Sequence, residues 1–426
     1  MTNSENWKLT TLGEVATLQH GFSFQSGSFV SNGKLPVIRI GNIKDWRVVV
    51  NDAVSVEEDN QLAPYVIRRD DLIIALTGGD VSNLETATGR VGLYQEKFPS
   101  VLNQRVARID VDENKAEKQF IYFTFANRPA VYSLASIANG SAQKNLTTEH
   151  VLNFPIALPP LPEQKSIAAV LSSLDDKIEL LRAQNKTLEE MAQRLFKEWF
   201  VDFNFSNSDG KPYKASGGKM VKSEIGEIPE GWNMGQVREL VDVLSGFAFR
   251  SNTFMDGGLY KLVTIRNVQD GTFVSETRNQ LESIPSNMPY YCKLQNGDVL
   301  LSLTGNVGRV CQVVGDDYLL NQRVAKLQPK QFEDSGFMFL LFRQPEMIGI
   351  LEHLASGTAQ QNLSPVKTGT MTILLPPRNF LDMFGEKINP MLDKVLKNKE
   401  QIQTLSKLRD TMLPKLMNGE IVVSNK

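Results

Sequence analysis

The chain has 426 residues and a formal net charge of −2, with 46 Lys and Arg against 48 Asp and Glu. Hydrophobic content of 41% and charged content of 22% are ordinary for a soluble globular protein, and no apolar run approaches the ~18–20 residues that cross a bilayer. Met1 to Thr11 is too polar for a secretory leader, and two cysteines, Cys292 and Cys311, build neither a disulfide framework nor a zinc site, so a cytoplasmic location is expected.

Residues 1–200 recur, loosely, in residues 226–426. Gly21-Phe22-Ser23-Phe24 returns as Gly246-Phe247-Ala248-Phe249, and Leu102-Asn103-Gln104-Arg105-Val106-Ala107 returns unchanged from Leu320 to Ala325. Asp71 to Gly78 matches Asp298 to Gly305, and Gly140 to Leu146 matches Gly357 to Leu363. The period far exceeds a solenoid repeat, so each copy should be a domain with its own core.

In chain order, Leu35 to Ile40 and Asp71 to Leu76 read as strands bounded by Gly, Asn and Asp. Lys118 to Ala135 carries apolar residues at helical spacing, and Phe337 to Leu351 repeats that pattern. Leu158-Pro159-Pro160 and Leu375-Pro376-Pro377 then lead into two long helices. The expected layout is a β-rich domain over 1–160, a long helix over 161–205 and a linker over 206–230. A second β-rich domain follows over 231–377, a second long helix over 378–418 and a tail over 419–426.

The helices carry heptads. Ile167, Leu174, Leu181, Leu188 and Leu195 fall seven apart, with Leu171, Ile178, Asn185, Ala192 and Trp199 as the second line. The second helix offers Phe384, Met391, Asn398, Leu405 and Met412 beside Ile388, Val395, Ile402, Arg409 and Leu416. Such a seam specifies coiled-coil packing, whereas a plain amphipathic helix would show a broader stripe. Antiparallel pairing with residue numbers summing to 583 sets Asn185 against Asn398, where two amides can satisfy one another. It also sets Leu181 against Ile402, Leu188 against Val395 and Trp199 against Phe384. The weak layer is Leu174 against Arg409, and Pro414 is expected to kink or end the second helix, leaving little pairing past Met412.

The fold class is therefore α+β: two pseudo-repeated β-rich domains separated by an antiparallel coiled coil, with pseudo-two-fold symmetry. A rod of about 33-residue helices is roughly 50 Å long. Two domains so spaced suit two half-sites on double-stranded DNA with an unread gap between them. A DNA reader usually has a basic excess. With none here, affinity must come from local Lys and Arg.

Candidate contacts fall in the recurring loops. Gln104 and Arg105, with Gln322 and Arg323, are shared by both copies, which suits phosphate contact or a structural turn better than base reading. The same holds for Ser141, Gln143 and Lys144 beside Thr358, Gln360 and Gln361. Thr77 and Gly78 near Arg90, and Thr304 and Asn306 near Arg309, are glycine turns beside a cation that can hold a phosphate. Gly21-Phe22 and Gly246-Phe247 suit packing better than base contact. Base readers belong where the copies differ: Ser82, Asn83, Glu85 and Thr86 in an insertion, Arg39 against Thr264, Gly41 against Arg266, and Lys44, Asp45 and Arg47 against Gln269 and Asp270.

The pattern resembles the specificity subunits of type I restriction–modification systems. Leu158-Pro159-Pro160-Leu161-Pro162-Glu163-Gln164 leads into the first helix, Leu195-Phe196-Lys197-Glu198-Trp199-Phe200-Val201-Asp202-Phe203 is similar to that family's end of the helix, and Ile225 to Trp232 to its approach to the second recognition domain. The second helix departs by starting at Arg378-Asn379-Phe380. The resemblance implies two target recognition domains, each reading one half of a bipartite DNA sequence. It implies helices that set the spacer and dock two modification subunits carrying the adenine methyltransferase, with restriction subunits able to join. S-adenosylmethionine, ATP and Mg would then sit on those partners and no cofactor on this chain.

The chain shows no Asn-Pro-Pro-Tyr-like motif, no phosphate-binding Gly-rich loop and no metal-ligand spacing among His20, His150 and His353. Asp175-Asp176-Lys177 falls inside the first long helix, where a charged outer face is expected. A protein-binding scaffold and a nuclease without a motif stand as alternatives.

Overall fold

The computed structural model describes residues 6–31, 33–79, 86–140, 143–207, 209–355 and 361–423. The chain forms two compact units, one of residues 1–177 with 405–426 and one of residues 178–404. Both long helices are thus divided between the units. No described helix is long and apolar enough to cross a membrane.

In the first unit the strand Leu72–Ala75 is buried throughout. Its side chains alternate between two cores: Leu72 and Ile74 join Leu12, Val91 and Phe120, while Ile73 and Ala75 join Ile38, Ile43 and Tyr94. A strand covered on both faces reads as a continuous apolar run, which is what the sequence shows there. It lies third in a six-stranded sheet ordered Ala16–His20, Val106–Val111, Leu72–Ala75, Val91–Leu93, Arg47–Val48 and Ile43–Lys44. A four-stranded sheet runs Ser55–Val56, Leu35–Ile38, Ser100–Leu102 and Val66–Ile67. Its two central strands are parallel, so both chains leave at the same end.

The second unit repeats this plan. One four-stranded sheet runs Val241–Ser245, Val324–Pro329, Val299–Ser302 and Val310–Gln312. The other runs Gln280–Leu281, Tyr260–Val263, Tyr318–Leu320 and Lys293–Leu294, again with parallel central strands. Each expected helical stretch is two helices: Lys118–Phe125 and Arg128–Ile137 in one unit, Asp334–Leu341 and Pro345–Leu354 in the other. Asn127 makes the first break, its Oδ1 accepting from Ala130 N at 2.9 Å with Pro129 in the opening turn.

The long helices span Leu161–Phe196 and Arg378–Met417. Their starts are tied to the β-rich parts by different chemistry. Gln164, buried, accepts from Glu117 N at 2.8 Å and donates to Pro159 O at 2.8 Å. Arg378 donates to buried Asp334 at 2.6 Å and pairs with Asp382 at 2.7 Å. Burial raises the Asp334 pKa, and Arg378 only partly offsets it. The first helix closes on a π-helical turn, Lys197–Val201, that sets Trp199 and Phe200 against Phe384 at ring-centre distances of 5.6 and 4.7 Å.

In the second unit Asn398 donates to Asn185 Oδ1 at 2.8 Å, both side chains being buried. The two amides do not fully satisfy one another, because Asn398 Oδ1 is buried without a partner. Leu181 and Val395 are buried, whereas Leu188 and Ile402 are half-buried. In the first unit Arg409 escapes the apolar layer expected of it and bonds Asp175 at 2.9 Å. Burial works to lower its pKa, and Asp175 with Asp410 more than reverses this, holding it above the ordinary value.

The expectation for Pro414 is corrected. The helix runs on to Met417, and Leu413 and Leu416 are buried in one cluster with Ile167 and Leu171. A helix-interior proline costs about 3 kcal/mol. Burying each leucine returns about 1.5–3 kcal/mol, so the pair at least offsets that cost.

The amide pair carries a test. Asn398→Ala strands Asn185 and is expected to destabilise by about 1–3 kcal/mol. Replacing both asparagines by leucine is expected to be neutral or stabilising. Calorimetric melting of the full chain and both variants reads the difference.

Candidate nucleic-acid interface

In each unit the central parallel strands end in one built turn. Asn103 N donates to Ile38 O at 3.0 Å and its Oδ1 accepts from Arg105 N at 3.4 Å. Gly21 N donates to Val106 O at 3.1 Å and Phe22 N to Leu102 O at 2.8 Å. A Cβ on Gly21 would stand 2.2 Å from Asn103 O, so no other residue fits. The second unit reproduces this: Gly246 N bonds Val324 O at 3.0 Å, Phe247 N bonds Leu320 O at 2.9 Å, and a Cβ on Gly246 would meet Asn321 O at 2.2 Å. The glycine–phenylalanine pairs and the asparagines therefore recur for packing. The turn leaves Gln104 and Arg105, and likewise Gln322 and Arg323, exposed.

Two further segments lie beside each turn. Leu76 N bonds Arg105 O at 3.0 Å, and Thr77–Gly78 pairs with Lys144–Asn145. Thr77 Oγ1 donates to Asn145 Oδ1 at 2.9 Å. Leu303 N bonds Arg323 O at 3.0 Å, and Thr304 bridges Asn362, next to exposed Gln361. Thr304 Oγ1 is buried without a partner. So Gln104, Arg105, Thr77, Gly78, Gln143 and Lys144 lie on adjacent segments, as do Gln322, Arg323, Thr304 and Gln361. Ser82, Asn83, Glu85, Ser141, Thr358 and Gln360 lie outside the described residues.

Arg90 is a correction. It is buried, and its guanidinium donates to the carbonyls of Ala87 at 2.9 Å, Ile43 at 2.6 Å and Ile40 at 3.0 Å. A cation spent on three carbonyls braces the strand ends and cannot hold a phosphate. Arg309, half-buried, has a different setting. It donates to Gln269 Oε1, and with its amide oxygen turned inward Asn306 accepts from it at 2.8 and 3.0 Å.

Sequence reasoning missed the asparagines behind this edge. Asn42 Oδ1 accepts from Arg39 N and its Nδ2 donates to Val49 O, both at 2.9 Å. Asn267 does the same with Thr264 N and Val274 O, both at 2.8 Å. The recurring Ile40-x-Asn42 and Ile265-x-Asn267 was the available signal. Each asparagine holds a loop that differs between units: Arg39 is exposed beside Gly41 in one, Arg266 beside Thr264 in the other. Arg39, Gly41, Lys44 and Asp52 help line a hollow of about 320 Å³, with Lys44 3.9 Å from Asp52. The hairpin that follows has Asp45 and Trp46 at φ 48° and 62°, where the second unit has Asp270 and Gly271. Arg47 sits half-buried on the returning strand. Among the described residues no group of three His, Cys, Asp or Glu is placed to hold a metal ion.

A sequence model of the type I restriction modification DNA specificity domain matches residues 4–190 and 229–407. The chain belongs to this family. It is 23% identical to the type I restriction enzyme HindI specificity subunit of Haemophilus influenzae, over 98% of this chain and 100% of that one. It is 26% identical to the MjaIX specificity subunit of Methanocaldococcus jannaschii, over 77% and 74% of the two chains. The fold is similar to that of the type I restriction-modification S subunit from M. genitalium, with a TM-score of 0.59 at 15% identity, covering 98% and 97%. Each matched segment contains one copy of the exposed edge.

The arginines are separable by experiment. Arg105→Ala and Arg323→Ala are each expected to leave melting unchanged and to lower the salt dependence of DNA binding by about one ion. Arg90→Ala is expected to destabilise by about 1–3 kcal/mol per carbonyl left unpaired. Melting curves and binding titrations across salt concentrations distinguish these roles.

Proposed function

We propose that this specificity subunit reads a bipartite duplex DNA site, one half with each unit. The observation that carries this is the doubled edge: one scaffold of glycine, asparagine and exposed Gln-Arg in both units, with different residues around it. A shared frame suits phosphates, which look alike in both half-sites. Divergent neighbours such as Arg39 and Arg266 suit bases, which do not. The near-neutral charge of the chain fits a reader whose partners supply much of the phosphate grip.

In this reading the long helices set the unread gap and dock two methyltransferase subunits. Restriction subunits join that assembly, and S-adenosylmethionine, ATP and Mg are held by the partners. This chain contributes recognition and no chemistry of its own.

Two changes test the proposal in cells carrying the complete system, with methylated adenines mapped by sequencing. Exchanging residues 1–158 for those of another such subunit keeps Lys8–Thr11 with its partner strand Pro155–Leu158 and is expected to change one half-site only. Inserting one heptad in both helices adds about 10 Å, expected to widen the gap by about three base pairs and leave both half-sites intact. A changed half-site after heptad insertion, or two changed halves after the exchange, would sink the proposal.

A further inference from the structure

Tyr290 is 90% exposed, the most exposed large hydrophobic side chain among the described residues. It opens a single 3-10 turn, Tyr290–Cys292, before the edge strand Lys293–Leu294. That strand is antiparallel to Tyr318–Leu320, with Lys293 opposite Leu319. The edge strand therefore begins at the end where Tyr318–Leu320 finishes, next to Asn321, Gln322 and Arg323. A second contact gives the same placement. Tyr291 donates to Ser245 O at 3.2 Å, and Ser245 precedes Gly246-Phe247, the pair seated on the Asn321 turn. Arg266 lies beyond Val263, where the neighbouring parallel strand Tyr260–Val263 leaves at that same end.

The first unit has no aromatic at this position; its nearby tyrosine stands two places closer to the edge strand. Tyr65, half-buried, packs on Phe22 at a ring-centre distance of 5.3 Å, just before the edge strand Val66–Ile67. Strand register makes Ala63 the counterpart of Tyr290, since Val66 lies opposite Val101 as Lys293 lies opposite Leu319. So the second unit presents an exposed ring, edge-on to Tyr291, at the strand end it shares with Gln322, Arg323 and Arg266, where the first presents an alanine. An aromatic side chain can bury about 150–250 Å², and covering that area is favourable. With two exposed arginines at the same end of the sheet, the surface that fits is a duplex: phosphate for the cations, sugar and base edge for the ring.

We infer that Tyr290 is a specificity-determining contact of the second unit, its ring packing against the groove wall of the half-site that Arg323 anchors. The inference rests on the DNA-reading role proposed above. Ring area does the work and the hydroxyl does little, so phenylalanine is expected to substitute.

The test uses the full chain assembled with its modification subunits. The probes are a duplex carrying the site mapped by methylated-adenine sequencing and a second duplex with the unit-two half scrambled. Tyr290→Ala is expected to weaken binding to the intact site about tenfold and to leave the scrambled duplex within twofold. Tyr290→Phe is expected to stay within twofold on both, and melting of the exposed-site variants to stay unchanged. If Arg323→Ala weakens binding and Tyr290→Ala does not, the inference falls and the recognition edge stands. If neither variant weakens binding, the recognition edge itself is wrong. If Tyr290→Ala impairs assembly with the modification subunits while assembled complexes bind DNA normally, the ring serves a protein contact and the inference is overturned.

Discussion

The hydrogen bond from Asn398 to Asn185 excludes other alignments of the two long helices in the second unit. A slip of one heptad in either direction would set each asparagine against Met391, Leu405, Ile178 or Ala192, leaving buried amides with no partner at all. The bond adds little stability, since one amide oxygen already goes unpaired. Its effect is on the alternatives, which it makes costly. Charges act in the same sense: Lys399 meets Glu189 at 3.1 Å in the second unit, and Arg409 meets Asp175 in the first.

The two copies keep geometry and exchange chemistry. Gln164 joins the first helix to its domain through backbone groups, and Arg378 joins the second through a buried carboxylate. Both tie the start of a long helix to the start of a short one, at Glu117 in one unit and Asp334 in the other. The departure of the second helix from the Pro-Glu-Gln start is thus a substitution of one joint for another. Over the proposed recognition edge the pattern reverses. There the backbone frame of Gly21, Phe22 and Asn103 is copied nearly unchanged, and the side chains around it have diverged.

This division explains what the sequence made legible. The repeat, the paired asparagines and the twice-buried strands each leave a periodic or duplicated trace. The roles of individual cations leave none: Arg90 and Arg105 look equally suited to a phosphate until three carbonyls are seen around the first. Asn42 and Asn267 were hidden for a related reason. A buried asparagine that closes a loop resembles any polar loop residue, and only its recurrence after Ile-x marks it. Pro414 misled because proline's local cost is visible in sequence and the distant leucine burial that offsets it is not. Tyr290 went unnoticed because exposure of an aromatic depends on which strand edge it precedes.

Leu413 and Leu416 belong to the core that also contains Leu12, Phe120 and Ile167. The core of the first unit is therefore incomplete until Leu413 and Leu416 have been made. A chain that stops short of Leu413 leaves an apolar seam of its first-made domain open to water.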